Sequence, residues 1–297
     1  MDAFGEFLMT TANLRKIIRD IRSKTGIGWD ILEQDYVLSW MLFGIAHNEK
    51  LRSSLIFKGG TALKKCYFGD YRFSQDLDFS VQEDCPKGED LFLLIQNACS
   101  YAGKAREDVE FKCNRYPETE AHPEAQEAFV IHARLPWQRD FNTSVKVEVT
   151  MQERVILPPI QKTILHGYGE SLDATIMTYR IEEIIAEKIR AILQYAKKIH
   201  ERGWGRSRVR DYYDLWRILT EYDTTIDKST IPNLVNHKCA LKNVSLSSVD
   251  DLFQERLMQI ITSEWERWLA PLVPNLPASE CVVNELRTQL NGIFLKI

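Results

Sequence analysis

Two aspartates lie two residues apart, Asp76 and Asp78, within a stretch that predicts a β-strand. Side chains alternate between the two faces of a strand, so both carboxylates are expected on one face. Leu77 and Phe79 then point to the opposite face, toward a hydrophobic core. Two convergent carboxylates can hold Mg²⁺ against a polyphosphate. The alternative is a pair of solvated aspartates on a surface strand.

A glycine pair precedes these aspartates, in the run Lys58-Gly59-Gly60-Thr61 that follows a short apolar strand. Glycine lets the backbone turn sharply and approach a ligand closely. A helix beginning at about Thr61 would direct its free N–H groups toward an anion such as a phosphate. We therefore expect Gly59, Gly60 and Thr61 to bind nucleotide phosphates through backbone N–H groups and one hydroxyl.

Three further polar residues belong to the same unit: Lys58, Arg72 and Ser74. The two cations suit a triphosphate, although each can equally form a structural ion pair. Ser74 lies just before the aspartates and is expected to bind phosphate or to cap the turn. Together with the glycine pair and the aspartates, these residue types predict a nucleotide-binding unit.

The unit resembles the AbiEii/AbiGii-type nucleotidyltransferase toxins, a branch of the polymerase-beta-like nucleotidyltransferase superfamily. The resemblance rests on two ordered motifs, F-K-G-G-T-x-L-x-K-x-Y from Phe57 to Tyr67 and R-F-S-x-D-L-D from Arg72 to Asp78. It extends to three flanking stretches, 32–37, 186–188 and 210–215. It implies an abortive-infection type toxin that transfers NMP from an NTP to an acceptor such as the 3′ end of tRNA. It also implies a cognate antitoxin encoded nearby.

The superfamily completes its metal site with a third acid on a strand beside the aspartate pair. Glu148 is the candidate here, because it lies in a predicted strand on the face opposite three valines. The alternative is an exposed strand glutamate. We expect Asp76, Asp78 and Glu148 to hold two Mg²⁺ ions, with Mn²⁺ as a substitute. Ions held in this way can stabilise both the attacking and the leaving oxygen of the transfer.

The resemblance further implies a lysine and an aspartate in the helical half of the chain, here Lys188 and Asp211. Lys188 lies on the inner side of an apolar helical stripe, which is unusual for lysine. We expect the helices that carry this pair to face the stretch Gly59–Asp78 across a cleft. The alternative is a structural salt bridge between helices. Asp214 shares a helix face with Asp211 and is assigned a structural role.

A basic run interrupted by Trp204 follows the same helix. Its candidates for contact with an RNA backbone are Lys197, Arg202, Arg206 and Arg208. Trp204 could then stack on a base. The alternative, held equally, is that this run is a solvated helix end.

The overall composition limits the class of protein. The net charge is −4, so any contact with nucleic acid must come from a local basic patch. The six cysteines show no CxxC pair and fit reduced thiols in a cytoplasmic protein. The N-terminal residues do not resemble a signal peptide, and no apolar stretch is long enough to span a bilayer. We expect a cytoplasmic location and no membrane partner.

The elements that position these residues predict an α+β fold, with a nucleotidyltransferase-fold mixed sheet between N-terminal helices and a helical C-terminal half. The expected domains are the helices of residues 1–50, the core of 51–178 and the helical domain of 179–297. Hydrophobic periodicity predicts helices at 2–24, 29–47, 88–102 and 180–200, and strands at 109–112, 128–134 and 143–150. The stretch from Pro158 to Thr178 is predicted to be a linker. Asp35, within the second helix, is either solvated or in contact with lysines of the core.

Two other functions remain open on the same residues. One is phosphoryl transfer to a protein side chain by the same scaffold. The other is a nucleotide-binding module without catalysis, which the intact Asp76 and Asp78 pair and Lys188 disfavour.

Overall fold

The computed structural model describes residues 11–116, 126–222 and 226–294. The chain divides into two compact units, Met1–Tyr179 and Arg180–Ile297. The first predicted helix is observed over Thr11–Thr25, and the predicted residues 2–10 lie outside the described part of the chain. Among the described residues, no helix has the length and apolarity that crossing a membrane requires.

A seven-stranded mixed sheet forms the centre of the first unit. Its strands are β1 (Leu55–Lys58), β2 (Asp76–Val81), β3 (Glu110–Arg115), β4 (Gln126–Arg134), β5 (Thr143–Thr150), β6 (Ile160–Thr163) and β7 (Thr175–Thr178). Its helices are α1 (Thr11–Thr25), α2 (Trp29–His47), α3 (Glu49–Ser54), α4 (Gly59–Ala62) and α5 (Gly88–Ala105). A π-helical segment, Leu63–Phe68, continues α4.

The strand order is β3-β4-β5-β2-β1-β7-β6. The β2–β5 and β1–β7 pairs are parallel, and the other pairs are antiparallel. Because β2 lies between β1 and β5, residues from three neighbouring strands meet around the aspartate pair. The predicted α+β class with a mixed sheet is confirmed.

The prediction of a linker from Pro158 to Thr178 is wrong. This stretch contains β6 and β7, which pair with each other, and β7 also pairs with β1 through Phe57 and Thr178. Each of these strands has only four residues, too few for an alternating pattern to be recognised among the surrounding prolines and glycines. The helix α3 was also not predicted.

The helix α2 is the most deeply buried helix of the first unit. It packs against α5 and β5, and nearly every side chain from Ile31 to Ala46 is buried. The sequence predicted a single buried stripe, whereas the burial extends around the helix, as in helices at the centre of a domain. Asp35 contacts Lys65, with 2.7 Å between Oδ2 and Nζ. The sequence left two environments open for Asp35, solvent or a lysine of the core, and the contact with a core lysine is observed.

The second unit is helical in its described residues. Its helices are α6 (Ile181–Arg202), α7 (Val209–Glu221), α8 (Ile231–Ala240), α9 (Glu255–Leu269) and α10 (Ser279–Phe294), with a 3-10 turn at Val249–Leu252. The helix α6 packs on α7 and α8, while α7 packs on α9 and α10. The predicted helix at 180–200 is confirmed, and it presents its apolar stripe to these neighbours.

Candidate active site

The aspartate pair lies on β2, in the middle of the sheet. Leu77 and Phe79 are fully buried, whereas Asp76 and Asp78 are only partly buried. The two carboxylates therefore share one face of the strand, and the predicted alternation is confirmed.

Glu148 lies beside the aspartate pair. The parallel register of β2 and β5 pairs Asp78 with Glu148 and Asp76 with Lys146. Residues paired in this way project from the same face of the sheet, so all four side chains are neighbours. The ammonium group of Lys146 also forms an ion pair with the Glu148 carboxylate.

The three carboxylates repel one another. The pKa of Asp78 is raised to about 7, first by burial and then by the negative charges of Glu148 and Asp76, while Lys58 acts in the opposite direction. A cation would relieve the same repulsion, so the donor set suits a divalent ion in charge and in ligand chemistry. Among the described residues, however, no three His, Cys, Asp or Glu side chains already form a metal-holding cluster. The site has the charge for a metal without a preformed three-ligand geometry.

Lys58 ends β1 directly opposite Asp78. Its ammonium group forms an ion pair with Glu153, and both side chains are more than nine-tenths buried. The structural ion pair that the sequence left open for Lys58 is therefore observed. Sequence reasoning missed Glu153, because it follows β5 in an irregular stretch where no periodic pattern marks it.

The glycine pair is required by the side chains that pack against it. Gly59 has a φ of 79°, in the left-handed region, and a Cβ there would lie 2.6 Å from Oδ2 of Asp78. A Cβ at Gly60 would lie 2.4 Å from Nη2 of Arg72. The two glycines thus allow one acid and one base to approach the start of α4.

The remaining residues of the predicted nucleotide site are buried: Thr61, Arg72 and Ser74. The Thr61 hydroxyl donates a hydrogen bond to the carbonyl oxygen of Asp76. The Arg72 guanidinium donates to the carbonyl oxygen of Phe73 at 3.1 Å. In this structure Thr61 and Arg72 hold α4 and the loop before β2 in place.

In the second unit, Lys188 on α6 contacts two aspartates of α7. Its Nζ atom lies 2.9 Å from Oδ1 of Asp211 and 2.7 Å from Oδ2 of Asp214. Burial raises the pKa of Asp211, but Lys188 and Arg208 outweigh it and hold that pKa below its usual range. The helix-to-helix salt bridge is therefore present, and the fully buried Asp214 belongs to it as much as Asp211 does. That the helices carrying this pair face Gly59–Asp78 stays a prediction.

The basic run divides into two parts. Lys197, Arg202 and Arg206 are exposed, and Trp204 is 72% exposed. Arg208 is only partly exposed and points toward Asp211, with 3.4 Å between Nη1 and Oδ2. For the exposed part, contact with RNA stays a prediction, while Arg208 contacts Asp211, the partner of Lys188.

A family model described as nucleotidyl transferase AbiEii toxin, type IV TA system, matches residues 40–290. Among solved structures, the chain is similar to MenT4, a nucleotidyltransferase toxin from Mycobacterium tuberculosis, with a TM-score of 0.64 and 20% sequence identity. That similarity covers 96% of this chain and 89% of the other, and at this identity it shows a shared fold. The comparison with curated proteins found no match.

We predict that Gly59→Ala destabilises the first unit, because alanine is strained at this φ and its methyl group displaces Asp78. The expected loss in free energy of unfolding is about 1–3 kcal/mol, measured by urea denaturation. Gly167→Ala is the matched control, since a Cβ there meets no atom within 4 Å. Equal unfolding free energies for the two variants would contradict the close packing of Asp78 on Gly59.

Proposed function

The chain belongs to the AbiEii family of nucleotidyltransferase toxins, and on that premise we propose that it transfers a nucleoside monophosphate from an NTP to the 3′ end of tRNA. Membership makes the protein a nucleotidyltransferase toxin of a type IV toxin–antitoxin system, with an NTP as substrate and an antitoxin as partner. Family membership excludes the alternative of a nucleotide-binding module without catalysis. The acceptor, the metal and the role of each residue belong to the proposal.

The observation that carries the proposal is the register of β2 and β5, which sets Asp76, Asp78 and Glu148 on one face of the sheet, where the pKa of Asp78 is raised. Nucleotidyl transfer requires charge neutralisation and alignment of the reacting oxygens, with little covalent chemistry by side chains. We assign Asp76, Asp78 and Glu148 as ligands of two Mg²⁺ ions, or of Mn²⁺. Such ions supply positive charge to the attacking and leaving oxygens. The shared face of the three acids supports this assignment.

We assign the phosphates of the NTP to the start of α4, where Gly59 and Gly60 offer backbone N–H groups. Thr61 contributes by holding Asp76, through its hydrogen bond to the Asp76 carbonyl oxygen. Arg72 and Lys58 supply positive charge next to Gly60 and Asp78, and Ser74 completes the nucleotide-binding set. For Lys58, contact with a phosphate requires exchange with Glu153.

Lys188 is assigned to the negative charge that develops on the leaving pyrophosphate. Its two aspartate partners support this role, because they keep a buried ammonium group charged and fixed in position. Asp211 carries the more exposed carboxylate of the two, with 14% of its side chain exposed against none for Asp214. We therefore assign Asp211 the role of orienting Lys188 and treat Asp214 as the structural anchor.

We predict that Asp78→Asn abolishes transfer while the protein stays folded. The experiment incubates the variant with each labelled NTP and total RNA and measures the label retained on RNA. Because the raised pKa means that the folded state disfavours the ionised Asp78, the variant should also melt at a higher temperature at pH 8 without divalent ions. Asp20→Asn, on the exposed side of α1, is the control and should change neither quantity.

Two outcomes of that experiment would count against the proposal. Wild-type transfer by the Asp78 variant would remove Asp78 from the metal site. A product that gains a bare phosphate, in place of a nucleoside monophosphate, would favour phosphoryl transfer. Mass analysis of the modified acceptor separates these products.

We predict that the affinity for a divalent cation rises with pH and levels off above about pH 7. Below that pH a proton occupies Asp78 and competes with the cation, and above it the carboxylate is free of the proton. Calorimetric titration with Mn²⁺ between pH 5.5 and 8.5 measures the effect. Asp78→Asn should bind more weakly and lose most of this pH dependence, whereas a flat wild-type profile would contradict the raised pKa.

We predict that the double variant Arg202→Gln/Arg206→Gln weakens RNA binding and leaves NTP binding unchanged. If both arginines contact phosphates of a single strand, the slope of log affinity against log salt should fall by about 1.4. The matched control is Arg15→Gln/Arg19→Gln, two exposed arginines on α1. An unaltered slope would indicate that the two arginines do not contact RNA and that the basic run is a solvated helix end.

A further inference from the structure

The face of the sheet that carries the acids continues beyond Glu148 onto β4 and β3. The register pairs Glu148 with Ala128, and it pairs Lys146 with Val130, which in turn pairs with Asn114. Residues paired across neighbouring strands project from the same face of a sheet. We call the part of this face that lies on β3, β4 and β5 the β3–β5 face.

The opposite face of these strands is covered by α5. Phe129 of β4 stacks on Phe92 of α5, with 6.1 Å between the ring centroids. Arg115 lies on the same side, with its guanidinium carbon 4.9 Å from the centroid of the Phe92 ring. By contrast, Lys112 and Asn114 of β3 are exposed. The β3–β5 face therefore presents side chains to solvent.

An exposed tyrosine lies on the β3–β5 face next to the acids. Tyr116 directly follows β3, and its N–H group donates a hydrogen bond to the carbonyl oxygen of Ala128 at 2.8 Å. The residue is 43% exposed. Lys146 lies over its ring, with 4.1 Å between Nζ and the ring centroid. Because the same ammonium group pairs with Glu148, a single lysine side chain links the ring to the acids.

A second lysine extends the positive charge of this face along β3. Lys112 lies four residues before Tyr116, about 13 Å away along the strand. Its Nζ atom lies 4.0 Å from the centroid of the Phe141 ring. Within the part of the chain that the structure describes, no carboxylate pairs with this ammonium group. An exposed ring and an ammonium group on one face suit a polyanion that carries aromatic bases.

The position of this face relative to the phosphate site indicates which substrate reaches it. The triphosphate is assigned to the start of α4, which follows β1, whereas β4 and β3 lie on the other side of β2 and β5. In phosphoryl chemistry the attacking and the leaving oxygen lie roughly in line, on opposite sides of the phosphorus. The pyrophosphate leaves on the β1 side, so the acceptor enters from the side of β5, β4 and β3.

We propose that the β3–β5 face binds the acceptor as a single-stranded RNA end, with its terminal base stacked on Tyr116 and an upstream phosphate at Lys112. This inference rests on the proposed transfer to RNA and names the surface that holds the acceptor. The 3′ hydroxyl belongs to the same nucleotide as the stacked base, so stacking brings that hydroxyl to the acids beside Lys146. Any base suits this contact, since every base has a π-face.

The test of the stacking contact measures binding of a short single-stranded RNA oligonucleotide to the full chain by fluorescence anisotropy. Mg²⁺ is present and NTP is left out, so that no transfer takes place. Tyr116→Ala should bind about tenfold more weakly than the wild type, and Tyr116→Phe, which keeps the ring, should bind normally. The matched control is Tyr101→Ala, since Tyr101 on α5 is 37% exposed.

A second oligonucleotide, whose terminal nucleotide lacks its base, tests the stacking on the wild type itself. It should bind the wild type about tenfold more weakly than the intact oligonucleotide, and it should not distinguish the wild type from Tyr116→Ala. For the phosphate contact, Lys112→Gln should lower the slope of log affinity against log salt by about 0.7. Lys104→Gln, at an exposed lysine of α5, should leave the slope unchanged.

The proposal is overturned if the wild type does not bind the oligonucleotide, or if Tyr116→Ala or removal of the terminal base leaves its affinity unchanged. It is also overturned if Tyr116→Ala weakens NTP binding in place of RNA binding, because the ring then stacks on the base of the NTP. An unaltered salt slope for Lys112→Gln would contradict the path along β3. The proposed function fails in a different way, when the wild type binds RNA through Tyr116 but leaves no nucleoside monophosphate on it.

Discussion

Mutual repulsion among three carboxylates is the constraint on which the rest of the first unit depends. Asp76, Asp78 and Glu148 are brought together by the parallel pairing of β2 and β5, which fixes their side chains on one face. Burial of Asp78, together with the negative charges of Glu148 and Asp76, raises its pKa to about 7. The folded chain therefore keeps an unfavourable arrangement that a bound cation would relieve. Sites of this kind commonly trade stability for function.

Two lysines and the glycine pair surround the three acids, and the pKa of Asp78 is raised despite the two positive charges. Lys58 lies opposite Asp78 and acts to lower its pKa, and it also forms an ion pair with Glu153. Lys146 is paired with Glu148 in the same manner on the other side. Each lysine thus has a glutamate partner, and the pKa of Asp78 stays raised beside them. The glycine pair then brings the start of α4 against that charge, since any side chain at Gly59 would collide with Asp78.

The parts of the site that the sequence predicted are those that local periodicity determines. The alternation of β2 places Asp76 and Asp78 on one face, and that of β5 places Glu148 opposite the valines. Partners that are distant in sequence could not be predicted in this way. Glu153 follows the end of β5 and meets Lys58 at the end of β1, although the two are 95 residues apart in sequence. The four-residue strand β7 is held between β1 and β6, which both pair with it. The apolar stripe around Lys188 signalled a buried charge, but it did not show that Asp214 shares it with Asp211.

The buried lysines show why a motif does not by itself assign a role. In the run from Phe57 to Tyr67, Lys58 and Lys65 are both buried. Lys58 forms an ion pair with Glu153, and Lys65 forms one with Asp35. Burying an ammonium group costs several kcal/mol unless such a partner compensates it. A carboxylate partner that offsets this cost is enough to give both lysines a purely structural role. What separates them is the environment of the partner. Glu153 and Lys58 border the charged face of β2, where a phosphate can compete for the ammonium group. Asp35 and Lys65 are instead enclosed in the core, where the Tyr168 hydroxyl also donates a hydrogen bond to the Asp35 carboxylate.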